Sequence, residues 1–204
     1  MIENVKNVLR QYFLDRIDSE ATIFHKSIIR ALEFLFLPKC EFRREKVTRF
    51  VDNPLIVPES NQSLGENING PSLIEVPEWV ENKLGRFYLY FAHHKGKYIR
   101  MAYSDSIDGP WKIYEPGVMR LNDAPGFIDH VASPDVHVIH QKRCIRMYFH
   151  GPRPTLDCQQ TGIAHSNDGL HFLAEDRALG KFYFRVWQHW GMYYALAKDN
   201  VNTP

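Results

Sequence analysis

Two aromatic runs, Arg-Phe-Tyr-Leu-Tyr-Phe at 86–91 and Cys-Ile-Arg-Met-Tyr-Phe at 144–149, decide the fold. Both runs are rich in the aromatic and β-branched residues that favour strands. Tyr90 and Tyr148 hold the same place in the two copies, 58 residues apart. A minimal four-stranded propeller blade takes about 40 to 50 residues, so this spacing predicts blades with loop insertions.

Further matching segments surround each aromatic run. A proline-marked segment precedes it, at 70–76 and 133–138, and an Ala-(aromatic or His)-Ser-(Asp or Asn) segment follows it, at 99–105 and 161–167. Each copy then reaches an Asp-Gly pair, which is a strong turn signal. A third copy begins at 182–186 and continues through 191–197. The order of these segments predicts a mainly β chain of about three blades, with a β-sandwich of similar hairpins as the alternative.

The N-terminal region has a different pattern. Apolar residues at three- and four-residue steps over 2–17 predict an amphipathic helix, and a second helix is predicted from Ser27 to Leu37, before Pro38. From about Val47, short β-rich runs and turn residues replace this periodicity. We therefore predict a helical N-terminal extension at 1–46 and a partial β-propeller domain at 47–204.

Composition excludes several classes of function. The chain has 25 basic and 24 acidic residues, which leaves no field to attract nucleic acid or an anionic membrane. The apolar stretch 28–37 is interrupted by Arg30 and Glu33 and is too short to span a bilayer. No secretory signal opens the chain, so a cytoplasmic location is predicted. Three cysteines without C-x-x-C spacing predict neither disulfides nor a zinc site, and no cofactor or metal is expected.

Several motifs together indicate a family resemblance. Asp-Asn-Pro-Leu-Ile at 52–56 is followed by the Pro-Ser opening strand, the aromatic run and Ala-Tyr-Ser-Asp with Gly-Pro-Trp. This order, over roughly 47–200, resembles the five-bladed β-propellers of glycoside hydrolase families 43, 32 and 117. The resemblance implies a funnel at the propeller axis that binds an oligosaccharide or glycoside. It also implies a carboxylate at the opening strand of each of the first three blades, which act as base, pKa-modulating residue and acid.

The chain departs from that pattern at the blade openings. Gly70 and Ser133 stand where the first two acidic residues are expected, and Arg185 stands in the third opening strand. Candidate replacement catalytic residues are Asp135, Asp129 and Glu66. Asp135 lies two residues after Ser133, so in a regular strand it would point to the same face. The alternative roles are a carboxylate that accepts backbone N–H groups, for Asp135, and solvated loop carboxylates, for the other two.

Polar residues near the blade openings predict a histidine-lined substrate pocket, because imidazole can hydrogen-bond sugar hydroxyls. The predicted binding residues are Asn69, His93, His94, His130, His150 and Arg185. Arg185 would bind an anionic sugar or, alternatively, form an ion pair between blades. Ser72, Ser133 and Cys144 lack a G-x-S-x-G context, which argues against a serine or cysteine nucleophile.

Three functions remain open from the sequence. The first is a glycoside hydrolase whose acid and base have moved, the second is a sugar-binding propeller without catalysis, and the third is a protein-interaction platform that docks through the helical extension. Because about three blades cannot close a five-bladed ring, the chain is also expected to be a fragment or part of an assembly.

Overall fold

The computed structural model describes residues 47–154 and 158–198. The predicted helical extension, residues 1–46, lies outside these ranges. Within them, the regular structure consists of β-strands and four short 3-10 helices at Pro58–Ser60, Gln62–Leu64, Leu121–Asp123 and His140–Lys142. No helix in the described residues is long and apolar enough to cross a membrane.

The first repeat forms a four-stranded antiparallel sheet, here called blade one. Its strands follow one another in chain order: β1 (Asn69–Glu75), β2 (Phe87–Ala92), β3 (Tyr98–Ser104) and β4 (Lys112–Arg120). Alternation along β2 explains how the aromatic run folds. Tyr88 and Tyr90 are fully buried on one face, while Phe87 and Leu89 are only partly buried on the other.

The second repeat forms the same unit, here called blade two. Its strands are β5 (Ala132–Ile139), β6 (Cys144–Pro152), β7 (Gln159–Ser166) and β8 (Leu173–Ala174), and β9 (Gly180–Lys181) also pairs with β7. The third copy is an antiparallel hairpin, β10 (Arg185–His189) and β11 (Met192–Leu196). The predicted repeat is confirmed: the described chain is mainly β, with two blades and the opening hairpin of a third.

The main core lies between blades one and two. Blade one contributes Tyr88, Tyr90 and Met101, and blade two contributes Ile145 and Met147, all fully buried. A smaller cluster covers the other face of blade one, where Leu64, Phe91 and Ala102 pack together. Each face of blade one is therefore apolar, whereas only one face of blade two is.

The second Asp-Gly turn locks the two blades together. The Tyr90 hydroxyl donates to the Gly169 carbonyl at 3.0 Å. Gly169 has φ +78°, and a Cβ there would lie 2.7 Å from that hydroxyl, so the turn needs glycine. Burial opposes ionisation of Asp168, but hydrogen bonds from His171, Ser166 and the Leu170 N–H outweigh it and lower its pKa to about 2.

Candidate functional site

The three opening strands share one unusual backbone feature. Gly70, Ser133 and Tyr183 occupy equivalent positions and have positive φ values of 60°, 47° and 68°. The strand register shifts at this point in both complete blades, between Asn69 and Ser72 and between Ala132 and Asp135. Non-glycine residues rarely adopt this conformation, so its repetition marks the blade openings as a specialised part of the fold.

This repetition corrects the alignment of the third blade. Arg185 pairs with Leu196 as Ser72 pairs with Tyr90 and as Asp135 pairs with Tyr148. Tyr183, and not Arg185, therefore stands where the resemblance implies the third acidic residue. The premise of a regular strand from Ser133 to Asp135 is also wrong, because Ser133 has φ +47° and lies within the register shift between Ala132 and Asp135.

The openings of blades one and two touch each other. A Cβ built on Gly70 would lie 2.8 Å from Ser133 Cα and 2.9 Å from its hydroxyl oxygen. These distances are shorter than van der Waals contact, so a carboxylate side chain at position 70 would require the Ser133 backbone to move. The structure thus leaves no room for a larger side chain at position 70.

A hydrogen bond of the same kind joins each blade opening to the next blade. Ser72 Oγ accepts the Val136 N–H at 2.9 Å, and Asp135 Oδ2 accepts the Val186 N–H at 2.7 Å. We call this pair of contacts the inter-blade clasp. Asp135 also contacts His137 Nε2 at 3.0 Å and lies 3.9 Å from Arg185 Nη1.

Arg185 has its own contacts within the clasp. Its Nη1 donates to the Pro134 carbonyl at 3.0 Å, and its guanidinium lies 5.0 Å from the centroid of the Tyr183 ring. The structure therefore brings Asp135 and Arg185 together. These contacts agree with the alternative roles, an acceptor of backbone N–H groups for Asp135 and an ion pair between blades for Arg185. Their predicted roles in catalysis and substrate binding remain predictions.

Asp129 and His130 lie beside the opening of blade two. Asp129 Oδ2 contacts His130 Nδ1 at 2.9 Å, and Lys97 Nζ lies 3.4 Å from Asp129 Oδ1. The hydrogen bond from His130, helped by Lys97, lowers the pKa of Asp129. His130 Nε2 also contacts Gln159 Oε1 at 3.1 Å. Asp129 is thus held in its ionised form, which suits a base or a hydrogen-bond acceptor better than an acid.

His150 is the most unusual polar side chain at this opening. It pairs across the ladder with Ala132, is 6% exposed, and its Nδ1 is buried with no hydrogen-bond partner in the described chain. The Phe182 and Tyr183 rings each lie 5.4 Å from its ring. Burial, together with repulsion from His130 and Arg185, lowers the pKa of His150 to about 4. The imidazole is therefore neutral near pH 7.

The remaining predicted residues cluster at the entrance to blade one. Asn67 Oδ1 accepts from Asn69 Nδ2 at 2.9 Å and from the His94 N–H at 3.1 Å. His93 Nδ1 lies 2.7 Å from the His94 carbonyl oxygen, and Glu66 is exposed to solvent. Asn69 Oδ1 is buried without a partner in the described residues. Among the predicted binding residues that the structure describes, Asn69 and His150 are thus the two with a buried polar atom that has no partner.

The sequence does not indicate Tyr183 as part of the site, and it indicates Ser133 only as the residue in place of a carboxylate and as a serine without a nucleophile motif. The available signal is positional, because the two residues stand two positions before Asp135 and Arg185. No group of three or more histidine, cysteine or acidic side chains in the described residues is arranged to hold a metal ion.

This geometry defines a class of fold. The described blades match the five-bladed β-propellers of glycoside hydrolase family 43 over 63% of the chain, which confirms the predicted fold class. A GH43_1 enzyme from Xanthomonas citri has a TM-score of 0.51 at 18% identity, with 39% of that enzyme covered. The β-xylosidase RS223 also has a TM-score of 0.51, at 19% identity over 64% of this chain and 43% of that protein.

Among curated proteins, the chain is similar to an uncharacterized protein of Acanthamoeba polyphaga mimivirus. The two are 33% identical over 197 residues, which covers 81% of this chain and 54% of the viral protein. The chain thus spans about half the length of this relative. No protein-family model matches the chain. A structure of the Xanthomonas citri enzyme complexed with xylose gives a TM-score of 0.50 at 17% identity.

Proposed function

We propose that the opening of blade two is a binding site for an oligosaccharide or glycoside and that it does not hydrolyse this ligand. The observation that carries the proposal is His150, a neutral and buried imidazole with an unpartnered Nδ1. An unsatisfied buried polar atom costs about 1 to 3 kcal/mol, and a ligand hydroxyl would remove that cost.

The surroundings of His150 suit a neutral sugar. The Ser133 hydroxyl follows Ala132, the strand partner of His150, and can exchange hydrogen bonds with sugar hydroxyls. Asn69 Oδ1, which precedes Gly70 at the opening of blade one, can accept a hydrogen bond. The Tyr183 ring, 37% exposed, offers a flat apolar face beside the imidazole. The structural relative complexed with xylose supports a pentose or a pentose oligomer as the first ligand to try.

We expect no hydrolysis because of the positions and contacts of the carboxylates at the opening. Glycoside cleavage requires a carboxylic acid and a second carboxylate about 5 to 9.5 Å apart on either side of the scissile bond. The three equivalent opening positions hold Gly70, Ser133 and Tyr183 instead. Asp135 is engaged in the inter-blade clasp, and Asp129 is ionised between Lys97 and His130. The described opening residues therefore supply no protonated acid.

The test is a calorimetric titration of the full chain with xylose and xylo-oligosaccharides near pH 7. We expect saturable binding that His150→Phe weakens at least tenfold, because phenylalanine keeps the ring volume but removes both nitrogens. His171→Phe is the matched control, since His171 is an exposed histidine paired with Asp168. Equal affinities for wild type and His150→Phe, or no binding by either, would contradict the proposal.

A further inference from the structure

Three titratable side chains form a chain of contacts on the polar face of blade two. Cys144 Sγ lies 3.5 Å from His165 Nδ1, and His165 Nε2 lies 2.9 Å from Glu175 Oε1. Strand β6 supplies the cysteine, β7 supplies the histidine, and Glu175 directly follows β8. Arg177 Nε holds the other carboxylate oxygen at 2.6 Å. The three groups are therefore positioned by three parts of one sheet.

The hydrogen-bonding roles in this chain follow from the chemistry of the carboxylate. An ionised Glu175 can only accept, so His165 Nε2 carries the hydrogen and donates it. In the neutral imidazole, Nδ1 then has a free lone pair, and this lone pair faces the Cys144 thiol. A nucleophile, a base and a carboxylate that orients the base are the elements of an activated nucleophile.

The site is also accessible. His165 and Glu175 keep 34% and 42% of their side-chain surface, and Cys144 is partly exposed. Arg146 lies two residues along the same strand and interacts electrostatically with Cys144. Cys158 differs in its partner, because its sulfur contacts the Gln160 side-chain amide at 2.9 Å, which is not a base.

We infer that Cys144 is an activated thiol, a site of covalent modification by soft carbon electrophiles, with His165 as its base and Glu175 as the residue that positions His165. In the reaction with an α-halo amide, the Sγ–carbon bond forms and the carbon–halogen bond breaks. The halide leaves with the bonding electron pair, and the thiol proton passes to His165 Nδ1. This inference is independent of sugar binding, since none of the three residues belongs to that site.

The first test needs no variant. The folded full chain is treated with limiting iodoacetamide near pH 7, and peptide-resolved mass spectrometry follows alkylation of each cysteine. We expect Cys144 to react at least tenfold faster than Cys158, which is also partly exposed. Equal rates, or faster reaction at Cys158, would overturn the inference.

Two variants then test the assigned roles. His165→Ala should bring the Cys144 rate close to that of Cys158, and Glu175→Gln, which keeps an oxygen acceptor, should lower it by a smaller factor. His171→Ala is the control, because it removes a histidine of the same blade that is paired with Asp168. The unfolding transition of each variant is first compared with that of the wild type, to show that the variant folds. If His165→Ala does not fold, Glu175→Gln decides the outcome. An unchanged Cys144 rate in the folded variants contradicts the role of the histidine.

Discussion

The two faces of blade two differ sharply in chemistry. The face toward blade one carries Val136, Ile145, Met147 and Ala164, each at most 5% exposed. On the opposite face, Asp135, His137, Arg146 and Tyr148 are joined by hydrogen bonds and a ring contact, and His165 contacts Cys144. The first face holds the blades together. The second face carries the clasp and Cys144, and its end at the blade opening carries the candidate sugar site.

This difference explains why the core does not depend on which residues occupy the blade openings. Apolar burial between blades one and two depends on residue size and hydrophobicity, so it does not constrain the residues at the openings. The polar face makes directional contacts, such as those of Asp135 with His137 and of Cys144 with His165. A change of residue at the openings therefore changes the chemistry of the site and leaves the core intact.

The largest expected effect comes from a substitution in the apolar face. Met147→Ala should lower the free energy of unfolding by about 2 to 5 kcal/mol, because Met147 is fully buried and the truncation leaves a cavity. Arg146→Ala, on the neighbouring residue of the opposite face, should cost about 1 kcal/mol or less. Urea unfolding of both variants measures the difference. Equal losses would mean that the two faces do not differ in their contribution to stability.

Alanine substitutions at two glycines distinguish the cost of a steric clash from the cost of backbone strain. Gly169→Ala should destabilise the chain by about 2 to 3 kcal/mol, because it combines a positive φ with a Cβ that meets Tyr90. Gly191→Ala has a similar φ of 76° but nothing within 4 Å, so it should cost only about 1 kcal/mol. Thermal unfolding compares the two. A larger loss for Gly191→Ala would show that the Tyr90 contact is not a lock between blades.

The inter-blade clasp is expected to give a smaller effect. Asp135→Ala removes the acceptor of the Val186 N–H and should cost about 1 to 3 kcal/mol. Ser72→Ala removes the equivalent acceptor of the Val136 N–H and should cost about 1 kcal/mol, because Ser72 makes a single neutral contact. Asp135→Asn, which keeps an oxygen acceptor, should lie between wild type and Asp135→Ala. Chemical denaturation measures all three, and no loss in Asp135→Ala would exclude the clasp role.

A pH dependence is also expected from the polar face. His150 has a pKa of about 4 in the folded chain, below its ordinary value of 6.5, so between these values the unfolded chain binds more protons. The free energy of unfolding should therefore fall as pH drops from about 6.5 to 4. His150→Phe should reduce this slope between about pH 6.5 and 5, whereas His171→Phe, which acts through the low pKa of Asp168, should change it only below that range. An identical slope in wild type and His150→Phe would contradict the neutral, buried state of His150.

The blades could be predicted from the sequence because each depends on local patterns. The aromatic runs alternate, and the Asp-Gly pairs mark turns within each repeat. The left-handed conformations of Ser133 and Tyr183 could not be predicted, since non-glycine residues adopt them only under tertiary constraint. Without them, Arg185 was aligned with the wrong position.

The clasp and the Cys144–His165 contact could not be predicted either, because both join residues that are distant in the sequence. Asp135 and Val186 are 51 positions apart, so no local motif indicates that the carboxylate accepts that N–H. Cys144 and His165 are 21 positions apart on neighbouring strands, and only the register of β6 and β7 brings them together. The absence of a nucleophile motif around Cys144 was therefore uninformative about its reactivity.

The central claim is that the opening of blade two binds a sugar and does not cleave it. The most direct measurement incubates the wild-type chain for many hours with a xylo-oligosaccharide at a concentration that calorimetry shows to be saturating, and then separates the sugars by chromatography. We predict that the oligosaccharide is recovered intact. Shorter products that form with wild type and disappear with Asp135→Asn would contradict the claim, because they would identify Asp135 as part of a hydrolytic site.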